Sequence, residues 1–420
     1  MKGRDGFGSW RRVGALVLSF TLLTAFAACS DDDEQGGAAD ATDATDDASA
    51  AGEDGGQVLR IGVIAPLDDG LTSFGHGIEN SVQLAVDQAN EAEAIEGWEI
   101  EVAAEDDSSE PELGAEAAET VAADDSVIGV VGTYNSGVAA EVAPILNDAG
   151  IAMITPGNTD ATLTLGEDRE NPVRPFENYF RMVSSDAHQG PFLATYAAED
   201  LGAATVAIVS LDQPVSRGLA DDFSAAFTEA GGEIVSDTTV PEDTTDFGDA
   251  VTEITPLAPD LLFFGGEYEA AAAFRTAAAD IDAPLMGGDG IKDDIYIEQG
   301  GLDGDIASTV GTPVEDLESA ADYAEDYEAA GFEDPPTDFG PYAYDAANLL
   351  IDAAATALED EDSVTADVRA AIIAEVQSTD TEGVTGQLGF DEFGDPVVNV
   401  FTLYEVTDGE WVAVLTEEVD

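Results

Sequence analysis

Val127-Ile-Gly-Val-Val-Gly-Thr-Tyr-Asn-Ser-Gly137 is a short β-branched run followed by a polar loop, and an Ala-rich amphipathic stretch continues from it to Ala149. A run apolar on both faces fits a strand covered from both sides, and the amphipathic stretch fits the crossover helix that covers it. The alternation repeats outward. Strands are expected at Leu59–Ile64, Glu99–Ala103, Val127–Val131, Ala152–Ile154, Thr205–Val209, Glu233–Val240 and Leu261–Phe264. Helices are expected at Gly77–Asn90, Leu113–Asp124, Gly137–Ala149, Pro191–Ala198, Arg217–Ala230, Phe247–Thr255 and Tyr268–Ala279, then at Leu317–Ala330, Tyr342–Ala357 and Val364–Ser378. Val400–Tyr404 and Trp411–Leu415, separated by Asp408-Gly409, read as a β-hairpin. The pattern is that of an α/β protein with parallel sheets.

The N-terminus sets the compartment. Lys2, Arg4, Arg11 and Arg12 precede a nearly unbroken apolar run from Val13 to Ala28. That run would be about 24 Å long as a helix, short of the ~30 Å hydrocarbon core, so it reads as a secretory signal. It ends in Phe26-Ala-Ala-Cys29, and Cys29 is the only cysteine of 420 residues. This resembles a bacterial lipobox, which implies lipidation at Cys29 and a signal peptide over residues 1–29; Phe26 departs from the usual leucine. Arg11-Arg12 leaves Sec and twin-arginine export both open. Residues 30–57 are expected to be a disordered acidic tether, since Asp31–Gly56 holds ten acids and no base. About 360 residues remain, enough for two domains.

Asp and Glu number 90 against 12 Lys and Arg, a formal charge of −78. The acids lie between intact apolar segments, so they describe a charged surface on a folded chain. Self-repulsion of that size destabilises a compact state, and molar salt relieves it. A salt-adapted source is expected, and nucleic-acid binding is excluded for want of a basic patch. With one cysteine, no disulfide or thiolate metal site can form within the chain.

Several motifs occur in a telling order: Arg60-Ile-Gly-Val-Ile-Ala-Pro-Leu67, Phe74-Gly75, Gly129-Val-Val-Gly132, Ala149-Gly-Ile-Ala-Met-Ile-Thr-Pro156, Phe180-Arg181 and Asp186-Ala-His-Gln-Gly-Pro191. Phe263-Phe-Gly-Gly266, Met286-Gly-Gly-Asp-Gly290, Pro341-Tyr-Ala-Tyr-Asp-Ala346 and Gly383-Val-Thr-Gly-Gln-Leu-Gly-Phe390 follow. The series resembles the branched-chain amino-acid binding proteins of ABC importers, which have the type I periplasmic binding fold. The resemblance spans essentially everything after Val58. It implies two Rossmann-like lobes joined by three crossings, near Phe180–Ser185, Ala307–Val314 and Phe390–Pro396. Lobe 1 would comprise 58–182 plus 312–392, and lobe 2 183–311 plus 393–420.

An amino acid offers a carboxylate and an ammonium, so its binder needs donors on one side and acceptors on the other. Helix starts supply backbone N–H donors and a favourable dipole. Thr133-Tyr-Asn-Ser-Gly137 and Pro156-Gly-Asn-Thr159 each follow a strand, and Ser136, Gly157 and Thr159 match the family's carboxylate positions. An ordinary helix cap is the plainer reading of Ser136. Asp289 matches the acidic ammonium partner. Glu267 stands where branched-chain members carry tyrosine, and Val215 where many relatives place an aromatic. This departure leaves the ligand's side chain open, with a cationic or polar one conceivable. Phe74, Tyr134 and Tyr342 are candidate apolar walls, and Asn135 is a further candidate ligand contact.

An enzyme is not expected. His76 and His188 have no nucleophile partner, and the chain lacks a P-loop, a metal-spaced His/Cys cluster and a dinucleotide fingerprint. No cofactor or metal is called for. The partners implied are a small ligand, an ABC permease and the membrane through a lipid anchor. Two alternatives stay open: a binder of urea, short amides or aromatic acids in the same import family, or a ligand-sensing receptor component. The latter would carry a membrane or signalling segment after the lobes.

Overall fold

The computed structural model describes residues 57–169, 171–313 and 317–419. The readings of Cys29, the signal and the tether up to residue 56 lie outside these residues. The first sheet is formed by β1 (Gln57–Ala65), β2 (Trp98–Asp106), β3 (Val127–Gly132), β4 (Ala152–Thr155) and β5 (Tyr179–Arg181). All its pairings are parallel, in the order β2-β1-β3-β4-β5. Every residue of β3 is buried, as a doubly covered strand must be. Gly129 is required within it, since a Cβ there would come within 2.4 Å of Leu350 on the covering helix Gly340–Ala357.

The second sheet holds β6 (Thr205–Leu211), β7 (Glu233–Val240), β8 (Leu261–Gly265), β9 (Leu285–Gly287) and β10 (Ile306–Val310). A small ribbon, β11 (Asp380–Gly383) with β12 (Gly386–Gly389), stands apart. The hairpin β13 (Asn399–Thr407) and β14 (Glu410–Val419) then joins the second sheet, whose order is β14-β13-β10-β9-β8-β6-β7. Asp408 and Gly409 turn this hairpin with φ of 53° and 80°, the double left-handed geometry that matches strand twist. The chain passes between sheets after Arg181, after Val310 and after the isolated Phe390–Pro396 bridge.

Two expectations need correction. Ala307–Val310, expected as the start of a crossing over Ala307–Val314, belongs to the fully buried strand Ile306–Val310, and the chain leaves the sheet only at Gly311. Pro191 does not open its helix, which runs Asp186–Thr195 with the proline inside it. Aspartate in the first turn, behind an extended Ser185, supplies the start signal instead. The three-residue strands β5 and β9 were not anticipated, being too short to show a period.

Contacts between the lobes close the crevice. Ser73 Oγ donates to Asp293 Oδ2 at 3.0 Å, Lys292 pairs with Asp338 at 2.9 Å, and Arg169 pairs with Asp222 at 2.9 Å. Phe74 meets Tyr268 edge-on, with centroids 5.5 Å apart.

Candidate ligand-binding cleft

Each sheet reverses its winding once, between β1 and β3 in the first and between β6 and β8 in the second. Loops at the carboxyl ends of strands beside such a reversal diverge and leave a crevice. The loops after β3, β4, β6, β8 and β9 line one cleft of about 50 Å³ between the sheets.

The first lobe presents donors. Asn135 stands in extended backbone before the helix Ser136–Ala149 and makes no side-chain cap, leaving the partly positive helix start open. Ser136 is the first helical residue, and its Oγ accepts from the N–H groups of Thr159 (3.2 Å) and Asp160 (3.3 Å). It is therefore a tie to the neighbouring loop, and the cap reading is set aside. Asn158 locks the two loops together, its Nδ2 donating to the carbonyls of Thr133 (3.0 Å) and Tyr134 (2.7 Å). Beneath it, the fully buried Arg181 donates to the carbonyls of Asn158 (2.6 Å) and Asp160 (2.9 Å) and pairs with Asp395 at 2.8 Å. Gly157 has no room for a side chain, because a Cβ would sit 2.8 Å from the Tyr134 ring.

The second lobe presents acceptors. Asp289 Oδ1 accepts from Gln189 Nε2 at 2.8 Å, and the Asp289 N–H donates back to Gln189 Oε1 at 3.1 Å. Ser308 Oγ donates to the same Gln189 oxygen at 3.1 Å, which fixes the orientation of the amide. Burial raises the Asp289 carboxyl to about 6, against the opposing pull of the Gln189 hydrogen bond. Asp186 is only 2% exposed, and its Oδ2 has no hydrogen-bond partner. Burial, then repulsion from Asp289 and Asp160, holds its carboxyl well above the ordinary range. Glu267 precedes the helix Tyr268–Ala277 without capping it, and burial, then Glu242 and Asp289, raise it to about 7.

Tyr134, Asn135, Ser136, Gly157, Thr159, Val215, Glu267 and Asp289 all line this cleft. Phe74 does not: it lies behind Tyr134, with ring centroids 4.5 Å apart, and supports the wall from within the core. Tyr342 does not either. It lines a separate cavity beside the crossings, where its hydroxyl donates to the Val310 carbonyl at 3.4 Å. Aromatic residues on helix faces default to core, and that default won at both positions. Asp186 and Gln189 are functional residues that sequence reasoning misses: Asp186 lines the cleft and Gln189 holds Asp289. Their position at the first turn of a helix that opens immediately after a crossing was the available signal.

No Lys, Arg or His lines the cleft, and no metal-ligating cluster occurs among the described residues. No described helix is long and apolar enough to cross a membrane. The arrangement can hold a molecule with an anionic and a cationic end.

A family model described as periplasmic binding protein matches residues 58–410. A Leu/Ile/Val-binding protein of Rhizobium johnstonii is 30% identical over 364 residues, covering 84% of this chain and 93% of the relative. Leu/Ile/Val-binding protein homolog 3 of Brucella melitensis is 31% identical over 246 residues, covering 58% of this chain and 64% of that relative. Among solved structures, the branched-chain amino acid binding protein LivJ of Streptococcus pneumoniae with isoleucine superposes with a TM-score of 0.74 at 26% identity, covering 86% of this chain and 99% of that one. A solute-binding protein of Rhodopseudomonas palustris with benzoate shares the fold, with a TM-score of 0.73 at 22% identity, covering 86% of this chain and 96% of that one. The chain thus belongs to the periplasmic binding protein family, among the Leu/Ile/Val-binding proteins, and is a substrate-binding component of ABC importers rather than an enzyme.

Proposed function

We propose that the cleft clasps a free α-amino acid, its carboxylate against Ser136, Thr159 and the helix start behind Asn135, its ammonium against Asp289 and Asp186. One observation carries this reading: hydroxyls, an uncapped helix N-terminus and two buried carboxylates line a single cleft. A carboxylate outcompetes the Ser136 hydroxyl as acceptor for the Thr159 N–H and lets Ser136 donate instead. The lobes, 58–182 plus 312–392 and 183–311 plus 393–420, hold opposite ends of the ligand, so only a complete ligand favours closure. Aromatic acids, urea and amides fit less well, since none brings a cation to the buried carboxylates.

Cys29 serves as the lipid anchor and residues 30–56 as the tether, Gln57 already opening β1, which puts the lobes outside the membrane beside their permease. The charge of −78 marks the surface as salt-adapted. A thermal-shift screen in molar salt tests the binding reading. An amino acid at a hundredfold its Kd stabilises the fold by ~2.7 kcal/mol, whereas benzoate and urea leave the melting temperature unchanged. Stabilisation by benzoate or urea and by no amino acid would overturn it.

A further inference from the structure

The 50 Å³ of the cleft admits roughly three to five water-sized groups at about 10–15 Å³ each, at most the five non-hydrogen atoms of an amino-acid head group and not a long side chain. Asn135 and Glu267 line both the cleft and a recess of about 730 Å³ beside it, which gives the side chain a way out. The recess wall carries Asp69, Glu110, Glu242, Asp243 and Glu269 besides Glu267, and no Lys, Arg or His.

Acids on this chain are common at the surface, and salt adaptation accounts for them there. It does not account for acids withdrawn from water. Asp186 and Asp289 are 2% and 7% exposed, and one oxygen of Asp186 lacks any partner. Burying a carboxylate costs several kcal/mol unless a cation or hydrogen bonds compensate. A zwitterionic head group brings one cation and one anion, so it leaves the net charge of the cleft unchanged. Glu267, at the exit, neither caps its helix nor pairs with a base, and Glu242 and Asp289 repel its charge. An apolar ligand side chain would pass it unused.

Resting on the amino-acid reading above, we propose that the ligand is dibasic: an α-amino acid whose side chain ends in a second cation, which Glu267 selects at the passage into the acidic recess. The head group sits between the lobes, the aliphatic part runs past Asn135, and the terminal cation meets Glu267.

Titration calorimetry on the full-length protein in molar KCl tests this, with L-lysine, L-arginine, L-leucine and L-norleucine as probes. Norleucine has the carbon skeleton of lysine without its terminal ammonium. Lysine or arginine binds at least about tenfold tighter than norleucine, and Glu267→Gln brings that ratio close to one through loss of cation affinity alone. Glu267→Leu does the same, which guards against a misfolded single variant. Leucine or norleucine binding as tightly as lysine and arginine to the wild type overturns the dibasic proposal while leaving the head-group reading intact. Failure of every α-amino acid to bind the wild type overturns both.

Discussion

Gln189 and Asp289 form a reciprocal pair: the amide donates to the carboxylate at 2.8 Å while the Asp289 N–H donates back to the amide oxygen at 3.1 Å. The pairing fixes the rotamer of the acid that meets the ligand's ammonium. It also lowers the cost of ionising that acid, the one local influence opposing burial there apart from Asp289's own backbone. Gln189→Leu removes both effects and leaves Ser308 Oγ without its acceptor. Ligand affinity should fall about tenfold or more by titration calorimetry, with the carboxylate loops unaffected. An unchanged Kd would mean that Asp289 is not held for binding.

Closure depends on side chains outside the cleft. Lys292–Asp338 and Arg169–Asp222 each join one lobe to the other. Both lie near the surface, so each is worth at most about 1 kcal/mol, and less in high salt. Lys292→Met with Arg169→Met should weaken ligand binding about two- to fivefold and raise the radius of gyration of the ligand-free protein in small-angle scattering. An unchanged radius and unchanged affinity together would refute a closing role.

Several buried acids tie stability to pH. Burial raises Asp107 and Glu267 to about 7 and Asp289 to about 6, each above its unfolded value. The fold favours their protonated forms, so their contribution is complete below pH 4 and is lost as pH rises through 6 and 7. His188, made less basic by burial, opposes this, but it is one group against these three and the further acids that burial raises, Asp186, Asp222 and Asp345 among them. In molar salt without ligand, the melting temperature should fall between pH 5 and pH 8, and Asp107→Asn should flatten the slope. A melting temperature that rises over that interval would contradict the assignment.

The parallel α/β pattern was legible because doubly covered strands such as β3 are apolar throughout and their helices amphipathic. The loops at Ser136 and Thr159 were legible because each follows such a strand, whereas Asp289 was legible only through the motif Met286-Gly-Gly-Asp-Gly290. What could not be read was direction. Phe74 and Tyr342 look like wall residues in sequence, yet which way a helical aromatic points depends on packing partners distant in the chain, here Phe339 for one and Val310 for the other. Asp186 and Gln189 escaped for a related reason. Their importance comes from Asp289, about a hundred residues away, which only the folded second sheet brings within hydrogen-bonding distance.

The claim that the lobes hold opposite ends of one zwitterion is tested most directly by comparing wild type, Ser136→Ala and Asp289→Asn. Each is titrated with the tighter-binding of L-leucine and L-lysine and with the amide of that amino acid, which lacks the carboxylate. Ser136→Ala should lose affinity for the acid and change little toward its already weak amide, while Asp289→Asn should weaken both. If the two variants bind the acid as tightly as the wild type does, the ligand is held elsewhere.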